Sequence, residues 1–329
     1  MIRRFLMVWL LLILAGSATA QTATEPTSIT ARNADQVQFA SEIEVEDVVN
    51  DLVFSPDGTL LVTAGNDTSV RVWSLEDNTQ VTESFEHFSF VKGAAFTASV
   101  LATAGWDRTI ITWKLENGEL APQTTIAGFD AVIEHLAISP DGTRILFGVG
   151  DGKVRVADSV TGEILLELPV GALRITAVAY SPNGEQIAAA GGFPSSGAQV
   201  WDATSGSQIA VIAHPGTVTS LAYTPDGQVL IAAGSDGTAS LWQQHQQIAS
   251  ISADEWITDI ALSPDGSTLV AARQDGVMTF WDISSPITPT LIVAVVAADG
   301  AINAVTFSPS GDKLATASED GAVRFWQIR

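Results

Sequence analysis

The chain of 329 residues contains no cysteine. That excludes a disulfide framework, thiol catalysis, iron–sulfur clusters and cysteine-based zinc sites, so stability must come from a packed core. Positive charge is scarce as well: 15 Lys and Arg stand against 37 Asp and Glu, a formal net charge of -22. Such a surface repels phosphate backbones and anionic headgroups, so neither nucleic acid nor an anionic membrane is an expected partner. Solubility is the plainer use of this charge, ahead of a specific cationic partner. Long apolar runs are also missing, apart from one near the N-terminus. There Arg3 and Arg4 precede Phe5–Ala15, and Ala18-x-Ala20 follows. A positive start, a short apolar run and small residues at a cleavage site read as a signal peptide over residues 1–20, of the general secretory type. The expectation is export to the periplasm, the cell envelope or the medium, with no stable membrane insertion once the signal is removed.

What is present is a repeat. Residues 21–35 are rich in Thr, Ala and Ser, lack periodicity and read as a linker. Beyond them Ser55-Pro56-Asp57-Gly58 recurs as Ser139-Pro140-Asp141-Gly142, Ser181-Pro182-Asn183-Gly184, Thr224-Pro225-Asp226-Gly227, Ser263-Pro264-Asp265-Gly266 and Ser308-Pro309-Ser310-Gly311. Pro presets φ, Asp or Asn suits the next position, and Gly takes the left-handed residue that closes a hairpin. Each copy lies between two apolar strands, as Val218–Tyr223 and Ile302–Phe307 illustrate for the strand that comes first. Thr97, at the end of Val91–Phe96, marks a further copy that has lost its turn, which brings the repeats to seven, near residues 55, 97, 139, 181, 224, 263 and 308. The step of about 40 residues is that of a four-stranded propeller blade.

A second marker runs in register with the first: an Asp six positions before a Trp. The pairs are Asp67 and Trp73, Asp107 and Trp113, Asp236 and Trp242, Asp275 and Trp281, and Asp320 and Trp326. Asp151 faces Ala157 where a Trp belongs, and Trp201 has Ser195 where the Asp belongs. With Trp201-Asp202 and Trp281-Asp282 added, the chain resembles the WD40-repeat family over residues 36–329. The resemblance implies an all-β, seven-bladed propeller. It also implies a buried chain of hydrogen bonds through a His, a Ser or Thr, the Asp and the Trp of one blade. His87, Thr103, Asp107 and Trp113 match that set in full. Thr63, Asp67, Trp73 and Thr316, Asp320, Trp326 lack the His, and His214, Asp236, Trp242 lack the hydroxyl, so the polar tie is expected to be incomplete in most blades. After Val323–Gln327 no residues remain for the last outer strand. Val37–Ser41 is expected to supply it and close the ring, which would remove an open edge.

The repeated Asp and Trp, one per blade, read as structural parts rather than catalytic groups. No HExxH, nucleophile elbow, phosphate loop or EF-hand ladder occurs, and no metal or cofactor is expected. Ser195-Ser196 reads as part of a lengthened hairpin. The resemblance implies use of the loop-rich face for binding peptides or proteins, and on that face the sequence places Trp106, Phe88, Phe90, Phe129 and Trp256. Aromatics with polar neighbours are the substance of binding hot spots. The expected function is that of an exported, monomeric, non-catalytic interaction scaffold. Alternatives are a hydrolase or lyase acting at the central channel through Lys92, Glu134, Arg174, Glu255 or Arg273, and a carbohydrate-binding propeller.

Overall fold

The computed structural model describes residues 27–45, 47–116, 118–192 and 197–328. Among them, seven four-stranded antiparallel sheets are arranged as a ring. Numbered by their inner strands, blades 1 to 7 begin at Val49–Phe54, Val91–Phe96, Ile133–Ile138, Ile175–Tyr180, Val218–Tyr223, Ile257–Leu262 and Ile302–Phe307. Within blade 1 the chain continues through Leu60–Gly65, Val70–Ser74 and Gln80–Ser84, from the axis outward.

The recurring turn between the first two strands works as its sequence requires. In blade 1 the Ser55 hydroxyl donates to Asp57, while its oxygen accepts from Leu60 N at 2.9 Å. Gly58 supplies the left-handed residue at φ 70°. Blade 2 replaces this with Thr97–Val100, where Thr97 N donates to Val100 O at 2.8 Å.

Chains of this length usually split into separate cores. Here seven apolar clusters lie at the seven junctions between neighbouring blades, so each blade buries both faces. At the first junction Val62, Val70 and Val72 of blade 1 meet Val91, Leu101 and Trp113 of blade 2.

The ring closes as the strand count requires. Val37–Glu44 pairs antiparallel with Ala322–Ile328 and forms the outer strand of blade 7. Phe39 sits edge-on to Trp326, with centroids 5.9 Å apart. Glu42 lies opposite Arg324, as Glu83 lies opposite Arg71 and Glu167 opposite Arg155 in blades 1 and 3. The closing strand thus carries the side chain that its register demands. The segment read as a linker is itself anchored in its later part. Ile29 N donates to Gly311 O at 2.7 Å, and Ile29 and Ala34 are buried in the cluster between blades 6 and 7. Residues 1–20 and Ser195-Ser196 lie outside the described residues.

Deleting residues 21–45 removes a strand, a cross-strand ion pair and the Ile29 contact together. The expected outcome is a lower melting temperature and aggregation through the exposed edge of Ala322–Ile328. Thermal unfolding followed by light scattering checks it, and an unchanged transition would refute the closure.

Candidate functional site

Each inner strand carries a β-bulge near its start, seen as a register shift in all seven blades. A bulge leaves one residue out of the ladder and redirects its side chain. Asn50, Thr176, Thr219, Thr258 and Asn303 occupy that place, and each reaches across to the first inner-strand carbonyl of the next blade. Asn50 Nδ2 donates to Val91 O at 2.8 Å, Thr219 Oγ1 to Ile257 O at 2.6 Å and Asn303 Nδ2 to Val49 O at 2.9 Å. Thr176 and Thr258 donate to Val218 O and Ile302 O.

Blades 2 and 3 break this belt. Lys92 turns back to donate to Asn50 Oδ1 at 2.7 Å, and Glu134 pairs with Arg174 of blade 4. These charges line one side of a central cavity of about 870 Å³ that also reaches Asp51, His135, Asp259, Trp256 and Glu319. Burial lowers the Lys92 ammonium below its ordinary value, and it pushes the His135 imidazole down to about 4, so that the ring is neutral near pH 7. Asp51 keeps partial solvent contact through the channel, yet protein surrounds it on all sides. Burial, reinforced by the Asp259 carboxylate, pushes it up to about 7 despite its bond from Ala94 N. Asp259 is raised by burial in the same way.

Next to Lys92, beyond the residues that line this cavity, lies the blade 2 loop cluster. His87 Nδ1 is 2.8 Å from Asp107 Oδ2 and His87 Nε2 is 2.8 Å from Thr103 Oγ1, while Trp113 Nε1 donates to Thr103 Oγ1 at 2.8 Å. The four residues therefore form one buried chain. Asp107 also accepts from Phe88 N at 3.0 Å and Thr109 N at 3.1 Å. Burial works to raise the Asp107 carboxyl, but the bonds from His87, Phe88 and Thr109 outweigh it and hold the group below its ordinary value. Around this tie Phe88 stands 87% exposed and Trp106 38% exposed. Phe90 stacks against Trp106 at 5.2 Å, with Lys92 Nζ 5.7 Å from the indole centroid. Trp106 N donates to Phe90 O at 2.9 Å, and the loops approach so closely that a Cβ at Gly105 would fall 2.6 Å from Phe90 O.

The other expected binding residues are placed differently. Phe129 is half-buried, packed on Phe147 at 5.3 Å and under the Arg155 guanidinium at 5.5 Å, so only part of its ring is available. Trp256 is 41% exposed across the channel. Of the charged channel candidates, Arg273 pairs with Asp275. Among the described residues no group of three or more His, Asp or Glu is placed to hold a metal.

One expectation about the polar tie needs correction. The set at His214 does not lack a hydroxyl, because Ser240 supplies it from the third strand. Ser240 Oγ is 3.1 Å from His214 Nδ1, His214 Nε2 is 3.2 Å from Asp236, and Trp242 Nε1 donates to Ser240 at 2.9 Å. In blade 6 Thr279 takes the same place and accepts from Trp281 Nε1 at 3.0 Å. The blades without His do lack the four-residue chain, as expected, but in three of them an Arg meets the turn carboxylate instead. Arg71, Arg155 and Arg324 reach the turn carboxylates Asp67, Asp151 and Asp320 at 2.5, 2.6 and 2.8 Å. Trp73 and Trp326 still donate to Thr63 and Thr316, at 3.0 and 3.1 Å. In blade 3, Phe147 stands at the hydroxyl position and is fully buried beside Ala157, returning the ring volume that the missing Trp gives up. The signal missed was the residue two before the Trp.

A ring of seven four-stranded blades, six of them carrying a turn Asp, is a β-propeller of the repeat class. The comparisons agree. The family described as WD domain, G-beta repeat, matches residues 42–74, 206–243, 245–282 and 291–327. The family described as anaphase-promoting complex subunit 4 WD40 domain matches residues 97–183. The chain is a WD40-repeat protein. It is similar to the small ribosomal subunit protein RACK1y of Oryza sativa subsp. japonica, 31% identical over 33% of this chain and 30% of the relative. It is also similar to RACK1 of Caenorhabditis elegans, 32% identical over 35% of each. ROOT INITIATION DEFECTIVE 3 of Arabidopsis thaliana is 30% identical over 50% of this chain and 41% of the relative. The matched region thus spans well under two thirds of each of these relatives.

Two predictions follow from this geometry. Asp107→Ala leaves the buried His87 and the Phe88 amide without an acceptor, and should cost about 1–3 kcal/mol of stability. An unchanged denaturant midpoint would count against the role of Asp107. A carboxyl held up near 7 keeps its proton in the folded state after the unfolded chain has released it. The Asp51 contribution to stability should therefore fall as pH rises from about 4 to about 7, while His135, held down at about 4, contributes in the opposite sense between about 4 and 6.5. Asp51→Asn should remove that contribution, so that melting temperature rises more steeply with pH across this window than in the wild type, on top of a pH-independent loss from the bond to Ala94.

Proposed function

We propose that the protein is a non-catalytic interaction scaffold that binds a protein or peptide on its loop-rich face, chiefly over blade 2. The observation that carries this reading is the exposed cluster of Phe88, Phe90 and Trp106, in which Phe90 packs on Trp106 and the Phe88 backbone is bonded to Asp107. Rigid aromatics supply contact area at little entropic cost, which is what an anchor site requires. Three of the five residues considered for catalysis at the channel are held in ion pairs: Glu134 with Arg174, and Arg273 with Asp275. The names of the similar proteins support the same role, since a ribosomal subunit protein and an anaphase-promoting complex subunit are parts of assemblies. Export, with residues 1–20 as the signal and a monomeric propeller as the product, belongs to the same proposal and rests on Arg3, Arg4 and the apolar run after them.

A photo-cross-linking residue placed at Phe88 should capture a defined protein from envelope or medium extracts, and Trp106→Ala should reduce the yield severalfold. The same probe at Val160, exposed in the turn between the third and outer strands of blade 3, should capture nothing. Equal capture at both positions would sink the assignment to this face.

A further inference from the structure

The loop-rich face is not uniform in charge. Trp256 is flanked by Asp254 and Glu255, and Glu319 and Asp299 extend the acidic arc over blades 6 and 7. The rings of blade 2 have cations among their neighbours as well as carboxylates. Most cations near this face are engaged with carboxylates: Arg71, Arg155, Arg174, Arg273, Arg324 and Lys153. Of the described cations near this face, Lys92 and Arg108 have no carboxylate within ion-pair distance. Lys92 Nζ donates to Asn50 Oδ1 and lies 5.7 Å from the Trp106 centroid, with Glu134 and Asp51 beyond ion-pair distance, and Arg108 is exposed two residues after Trp106. Glu86 and Asp130 lie in the neighbouring loops, and neither forms an ion pair with them. In a chain with 37 acids and 15 bases, such a pairing beside an exposed indole is unexpected on composition alone.

Arg108 also occupies a position that four other blades give to glycine, while blade 1 holds Thr68 there at φ 73°. The position follows the turn Asp, where Gly152, Gly237, Gly276 and Gly321 adopt φ between 76° and 81°. Arg108 holds φ 66° there, a conformation unfavourable for a side chain with a Cβ. Backbone strain of this kind persists where a side chain is wanted for another reason.

We propose that the blade 2 patch docks an acidic segment of a partner protein. An apolar or aromatic side chain of the segment packs on Phe88, Phe90 and Trp106, and carboxylates on either side pair with Arg108 and Lys92. Charge complementarity selects this occupant, and the acidic arc across the channel orients it, since the carboxylate-bearing part is repelled from blades 6 and 7. This rests on the reading of the loop-rich face as the binding surface.

The test uses three short fluorescent peptide libraries, each with a fixed central Phe flanked by Glu, by Lys or by Ser, titrated against the full chain. The Glu set should bind tightest and weaken with added salt. Trp106→Ala should reduce its affinity by tenfold or more. Lys92→Gln should reduce it about fivefold, the upper range for a partly exposed ion pair. Arg108→Gly separates fold from function: it relieves the backbone and should raise the melting temperature while weakening the Glu set about fivefold. Arg108→Lys should retain most of the binding. Lys-set binding equal to that of the Glu set would overturn the proposal, as would Glu-set binding indifferent to Arg108→Gly and Lys92→Gln. Binding of the Ser set that responds to Trp106→Ala but not to charge would overturn the acidic preference while leaving the binding face standing. Binding by no library, together with no capture at Phe88, would overturn both.

Discussion

The bulge at the start of every inner strand is the constraint on which this molecule is built. An inner strand packed only by its apolar side chains would leave neighbouring blades free to slide along the axis. By ejecting one residue from the ladder, the bulge frees a side chain that reaches the next blade's first carbonyl, and five junctions use it for an inter-blade hydrogen bond. Each such bond contributes about 0.5–1.5 kcal/mol, and it fixes the height of one blade against the next. The same positions line the channel, so whatever occupies them sets the channel's chemistry. Lys92 and Glu134 are the departures, and they place the charges of the channel wall beside the aromatic loops of blade 2.

The turn carboxylates show how one physical requirement admits several chemical answers. A partly buried Asp at the hairpin needs donors, or its desolvation goes uncompensated. His87 and His214 supply them from the loop before the inner strand. Arg71, Arg155 and Arg324 supply them from the third strand, and because guanidinium carries a full charge, each also meets a Glu on the outer strand. Glu42 meets that need from the other end of the chain. The closing strand is therefore matched to blade 7 electrostatically as well as by its apolar alternation.

What was legible in the sequence was what is local or periodic. Ser-Pro-Asp-Gly turns, the Asp-to-Trp spacing and the missing outer strand after Gln327 depend on short stretches or on counting, and the seven blades and their closure follow from them. The tie in the other blades depends on register. Ser240 lies on a different strand from Thr103, and it serves the same indole only because the third strand presents its side chain beside the ring two residues on. The swap of Phe147 for the absent Trp has the same origin: it joins positions on two strands that sequence spacing does not relate. The channel cluster was least legible, since Lys92, Glu134 and Arg174 come from three blades and share no motif.

Blade 2 brings these strands of argument together. It lacks the Pro-Asp-Gly turn at one end and the belt bond to blade 3 at its centre, and at its other end it holds Arg108 in a left-handed conformation. Each of these lowers its stability, the last by about 1 kcal/mol or more. Like blade 5, it has a full chain from Asp to Trp, here His87–Asp107–Thr103–Trp113, and it adds the bond from Phe88 N to Asp107. Hydrogen bonds to a charged carboxylate contribute about 1.5–3 kcal/mol each, enough to offset such losses. Asp107 lies between Trp106 and Arg108 in sequence and grips the Phe88 loop in space. The residue that compensates the blade's weaknesses is therefore the one that fixes the geometry of its exposed rings and its free guanidinium. Stability here is concentrated beneath the patch that departs most from the other six blades, an arrangement that a purely structural blade would not require.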